Sequence, residues 1–114
     1  MSRMTRVGLG LVSLIFLAGC AQTQATADDL ARRSAKAAVS ETLVTRFPTV
    51  PEAAVTPFTD CIVDNSTARE IGEFAKDAVI GTSETTVSLI RGVLSRSETQ
   101  TCVAREGLAA LTAA

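Results

Sequence analysis

Three cysteines, Cys20, Cys61 and Cys102, are the residues of this chain with the clearest chemistry of their own. A thiol can be acylated, joined to a second thiol in a disulfide, cycled between those redox states, or used as a thiolate metal ligand. The rest of the composition narrows that choice. The 114 residues include no histidine, so Ser-His-Asp and Cys-His catalysis and His-based zinc sites cannot be built. A metal held by two cysteines would need two further ligands that no histidine supplies. Twelve Asp and Glu residues could in principle furnish an acid–base pair, but carboxylates of a small helical protein are mostly solvated surface groups. No glycine-rich phosphate loop is present. Trp and Tyr are absent, which removes the usual aromatic platforms for sugars and bases. This reading assigns no catalytic, metal or cofactor-binding residue.

The surroundings of Cys20 are distinctive. Arg3 and Arg6 precede an apolar run from Val7 to Ala18, and small residues follow, the order of a secretory signal. A membrane span needs about 20 apolar residues, and this run is shorter. The segment Leu17-Ala18-Gly19-Cys20 resembles the lipobox of bacterial lipoproteins. That resemblance implies cleavage before Cys20 and acylation of its thiol, a covalent lipid being the one prosthetic group expected. Ala21, where aspartate would favour inner-membrane retention, implies an outer-membrane address on the periplasmic side. Each buried methylene contributes about 0.8 kcal/mol, so several acyl chains make a permanent anchor.

The expected organisation is a signal peptide over 1–19, a lipidated cysteine and tether over 20–25, and a helical domain over 26–114. Without residues 1–19 the chain keeps nine basic and twelve acidic side chains, a formal charge of −3. That balance argues against nucleic acid and against electrostatic adhesion to anionic lipid. The lipid is what would hold the protein to the membrane. Once Cys20 is acylated, Cys61 and Cys102 are the cysteines left to pair in an oxidising compartment. A structural staple is the expected role. It would close a loop of about 40 residues, for which the chain-entropy relation gives about 4 kcal/mol. A redox-active pair is the alternative, against which stands the lack of a Cys-x-x-Cys spacing.

The elements that position these cysteines read as helices. Thr26 is expected to open the first, with Asp28 and Asp29 at its positive end and facing Arg32 and Arg33 at i,i+4. Ala31, Ala35, Ala38, Val39, Leu43 and Phe47 recur at helical spacing, a core-facing stripe, and Pro48 ends it. Pro51 and Pro57 each suit the first position of a short helix, with Thr56 capping the second and Asn65 ending it in a left-handed conformation. Thr67 and Glu70 form a capping box before Ile71, Phe74, Ala75 and Ala78, and Gly81 suits the C′ position. Ser83 or Thr82 opens a helix with the broad apolar face Val87, Leu89, Ile90, Val93 and Leu94, the expected centre of the bundle. Ser97 and Gln100 suggest a second capping box before a last helix carrying Cys102, Val103, Leu108 and Leu111, weakened by Gly107. No strand alternation or hairpin signal is found. The fold class expected is all-α, a small bundle of four to five helices stapled by one disulfide.

The block Val50-Pro51, Pro57-Phe58-Thr59-Asp60-Cys61, an amphipathic helix and then Cys102 resembles a group of short two-cysteine lipoproteins of Gram-negative bacteria. The absence of site chemistry points to a non-enzymatic interaction or structural module, partnered by the membrane through its lipid and by an envelope protein. A carrier of a small apolar ligand, held between helices, is the second reading.

Overall fold

A computed structural model of the chain describes residues 25–113. Among them are five helices and no strand, the all-α class expected from sequence. The chain divides into two units, 1–30 and 31–114. Of the first, residues 25–30 are described, and they are helical. Cys20 and the signal segment lie outside the described residues.

Helix α1 covers 25–46 among the described residues, so Thr26 lies within it rather than at its cap, and Ala25, expected in the tether, is helical. Its termination is as Pro48 dictates, because the residue before a proline is pushed out of the helical region. Ala35, Ala38, Val39 and Leu43 are buried on one face. The alanine-rich stripe is therefore a packing surface, with little bulk of its own.

Helix α2, Glu52–Asp64, replaces the two short helices expected on either side of Pro57. Pro51 is its N-cap residue and Pro57 lies inside it, while Thr56 is exposed and caps nothing. A proline in a helix interior costs about 3 kcal/mol. Ala54, Val55, Cys61, Ile62 and Val63 are buried on this one helix. At about 1.5–3 kcal/mol for each large aliphatic side chain, continuing the helix outweighs the lost hydrogen bond. Asn65 ends it with φ −102°, not left-handed, and its Nδ2 donates to the Cys61 carbonyl at 2.8 Å. Ser66 Oγ likewise donates to Ile62 O at 2.7 Å, so side chains satisfy two of the terminal carbonyls.

Helix α3, Ala68–Ile80, has the expected capping box: Glu70 N donates to Thr67 Oγ1 and Thr67 N to Glu70 Oε1. Ile71 and Phe74 point inward as foreseen, but Asp77 is buried where Ala78 was expected, and Ala78 is exposed. Asp77 accepts from Ser83 Oγ at 3.2 Å, which satisfies it at the turn into the next helix. That turn needs Gly81, whose φ of 96° is one that side chains with a Cβ rarely adopt. Ser83 then caps α4, Glu84–Leu94, by accepting from Thr86 N.

Helix α5, Ser97–Ala113, begins one residue earlier than its expected capping box allows. Gln100 N donates to the Arg96 carbonyl, so Arg96 occupies the flanking position and Ser97 is already helical. Leu108 and Leu111, which the last helix was expected to carry, are 65% and 49% exposed. The residues that α5 buries are Thr99 and Gly107.

The helices pack into one apolar cluster. Ala35, Val39 and Leu43 of α1, Val55, Ile62 and Val63 of α2, Ile71 and Phe74 of α3, and Ile90 and Val93 of α4 form it. Helix α4 touches α2, α3 and α5, the central place its broad apolar face implied. Ion pairs Lys36–Asp60 at 2.9 Å and Arg32–Asp64 at 3.8 Å set α1 antiparallel to α2. Arg46 pairs with Glu84, and Arg91 lies 5.9 Å from the Phe47 ring centroid, joining the end of α1 to α4.

Gly107 seats α5 against α2. A Cβ placed there would stand 2.5 Å from Phe58 Cε1. Gly107→Ala is expected to lower stability by about 1–2 kcal/mol, despite alanine's better helix propensity, because overpacking exceeds that gain. Gly72→Ala and Gly92→Ala meet nothing within 4 Å and are expected to raise it by up to about 1 kcal/mol. Thermal unfolding of the three variants in the oxidised protein checks both signs.

Candidate functional site

The cysteine chemistry sits where α2 and α5 cross. Cys61 stands in the last half of α2 and is 1% exposed. Cys102 stands in the second turn of α5 and is half-buried. Their sulfurs are joined, with the Cα atoms 5.7 Å apart. The pairing of Cys61 with Cys102 expected from sequence is therefore present. With the Phe58–Gly107 contact it fixes α5 antiparallel to α2, since residue numbers rise on one helix as they fall on the other.

On the outer side of this crossing runs an open groove of about 530 Å³. Asp64 and Asn65 of the α2 end form one wall, and Glu98, Thr101, Cys102 and Arg105 of α5 form the other. Its charges nearly balance, and Arg105 Nε donates to the neighbouring Glu106 at 3.0 Å. A smaller groove of about 270 Å³ lies between α1 and α2. The Lys36–Asp60 pair closes one side of it, and Ser40, Thr56 and the buried Thr59 line it.

One polar cluster connects these parts and was not apparent from sequence. Arg96 Nη1 donates to Glu70 Oε1 at 2.9 Å and Nη2 to Glu70 Oε2 at 2.8 Å, a two-pronged pair. Nη1 also donates to the Asn65 carbonyl at 2.6 Å. Glu70 thus caps α3 and clasps the link between α4 and α5 at once. Hydrogen bonding to Arg96, then to Thr67, holds the Glu70 carboxyl below the usual glutamate value of 4.5, against the opposing effect of burial. The same pair raises Arg96. The sequence marks Glu70 as part of a capping box. Nothing in a spacing of 26 residues marks Glu70 and Arg96 as partners.

Among the described residues no group of three or more His, Cys, Asp or Glu is placed to hold a metal ion. No described helix is long and apolar enough to cross a membrane. No known family model, characterised protein or solved structure matches this chain. What the described arrangement supplies is a covalent cross-link, a carboxylate–guanidinium clasp and two open grooves.

The clasp has a definite pH signature. A carboxyl whose pKa is lowered in the folded state stabilises it above the unfolded value of about 4.5, and that contribution is lost as pH falls through the folded value. Arg96→Ala is expected to lower stability at pH 7, because it leaves the Glu70 carboxylate without its guanidinium donors. It should also flatten the fall in stability between pH 5 and 3. Urea unfolding of both proteins across that pH range measures the difference.

Proposed function

We propose that this chain is a lipid-anchored module of the bacterial envelope that binds or positions another envelope protein and catalyses no reaction of its own. The observation that carries the reading is Leu17-Ala18-Gly19-Cys20 at the end of a short apolar run behind two arginines. Pairing of Cys61 with Cys102 supports it, because Cys20 is then the cysteine left for acylation. A disulfide is also what an exported chain would keep. The anchor lies on the periplasmic face, with the outer membrane favoured by Ala21.

The surface fits an adaptor better than a carrier. Val79 and Ile80 project at the end of α3, and Leu108 and Leu111 along α5, all with about half or more of their area exposed. The core side chains Leu43, Ile62, Phe74, Ile90 and Val93 are fully covered by one another and their neighbours. An apolar ligand between helices would have to displace them, at the cost of their packing.

The test is the N terminus. Expressed in a Gram-negative host, the full chain is expected to lose residues 1–19, gain the mass of its acyl chains on Cys20 and fractionate with membranes. Cys20→Ser should abolish the added mass and the membrane association while leaving the helical domain folded. A mature protein that retains Met1 and an unmodified Cys20 thiol overturns the proposal. Crosslinking in cells then identifies what the anchored domain touches, and a domain that crosslinks to nothing counts against the adaptor role.

A further inference from the structure

We propose that α5 is a redox-released latch: reduction of the Cys61–Cys102 bond frees this helix from a four-helix core that stays folded without it. The inference does not depend on the lipid anchor. It rests on how few side chains α5 buries: its backbone lies close along α2, yet Thr99 and Gly107 are its buried residues.

Helices α1 to α4 each place two or more side chains in the apolar cluster, and among the described residues α5 places none. Of its 17 residues two are buried. One is Gly107, which has no side chain to bury. The other is Thr99, whose Oγ1 is enclosed with no hydrogen-bond partner. An enclosed, unpaired hydroxyl disfavours the docked position. The apolar residues that could have driven docking, Leu108 and Leu111, face outward. Close backbone approach along α2, the Phe58 ring over Gly107 and the half-buried Val103 contribute dispersion contacts, and the covalent bond holds them in register. Immediately before α5, the Glu70–Arg96–Asn65 clasp pins the chain, so a freed helix would turn about residues 96 and 97.

The bond can be attacked from one side. Cys61 is enclosed by the core, whereas Cys102 lines the open groove with Thr101 and Arg105. A thiolate of a dithiol reductant would attack Cys102 Sγ, forming a mixed disulfide as the Cys61–Cys102 bond breaks and Cys61 leaves as thiolate. The second thiolate of the reductant then displaces Cys102, closing the reductant's own disulfide. The chain gains two electrons, and its two thiolates take up protons from solvent. Movement of α5 would then uncover Cys61 and Phe58.

Hydrogen exchange followed by mass spectrometry on the full chain, oxidised and after reduction by dithiothreitol, tests the latch. Amides of residues 99–113 are expected to approach the rate of an unstructured peptide on reduction, while those of α3 and α4 keep at least about hundredfold protection. The double variant Cys61→Ala, Cys102→Ala should show that pattern without reductant. Collapse of protection in all helices together, or failure of the double variant to fold, overturns the proposal, as does an α5 that stays protected when reduced. With excess glutathione and rapid alkylation, the first adduct should map to Cys102; an adduct on Cys61 rules out the direction of attack.

Discussion

Among the described residues the apolar cluster has ten buried side chains, and eight of them are alanine, valine or isoleucine. Among its described buried members Phe74 is the one aromatic and Leu43 the one leucine, with Phe47, Phe58, Leu89 and Leu94 packed half-buried against it. A core so composed removes little area per residue from water, and burial stabilises in proportion to area. Small domains are already at a disadvantage on this count, because a larger share of their surface stays exposed. The other features of the fold answer that constraint. Helix ends are closed by side chains, a turn is closed by a paired carboxylate, and one pair of helices is tied covalently.

The polar devices sit at corners, where apolar packing is thinnest. Thr67, Glu70, Arg96 and the Asn65 carbonyl gather the α2–α3 turn and the α4–α5 turn into one hydrogen-bonded unit. Asp77, Ser83 and Thr86 do the same between α3 and α4, with Thr42 of α1 reaching Thr82 at 3.3 Å. Surface pairs such as Arg32–Asp64 set the direction of α1 against α2 more than they add stability, since exposed ion pairs are worth at most about 1 kcal/mol. Helix α5 stands apart from this scheme. It follows directly on the clasp residue Arg96, carries the disulfide in its second turn, and beyond Gly107 it lies on the surface.

That division also explains which parts could be read in advance. Thr67 through Glu70, Ser83 as a cap, Gly81 as a stop and Pro48 as a boundary are local chemistry, decided within a few residues, and each was legible. So was the pairing of Cys61 with Cys102, once Cys20 was set aside for lipid. Pro57 was misread because its cost is local while the burial of Val55, Ile62 and Val63 that outweighs it comes from other helices. Ser97 was misread because the carbonyl that Gln100 N finds belongs to Arg96, held in place by Glu70 from a distant turn. The outward direction of Leu108 and Leu111 had no local signal at all. Periodicity marks a face of a helix but does not say whether a neighbour exists to cover it.

What the residues determined unaided is therefore the list of parts: an all-α chain, its caps and stops, the two cysteines that pair and the absence of histidine chemistry. These follow from interactions that span a turn or less, or from composition, and need no partner element. Packing determined the single α2 through Pro57, the Glu70–Arg96 clasp, the burial of Asp77 and the placing of α5 outside the core. Each of those is a contest between a local preference and contacts made by residues far away in the chain, and its outcome depends on distances that exist once the helices have assembled.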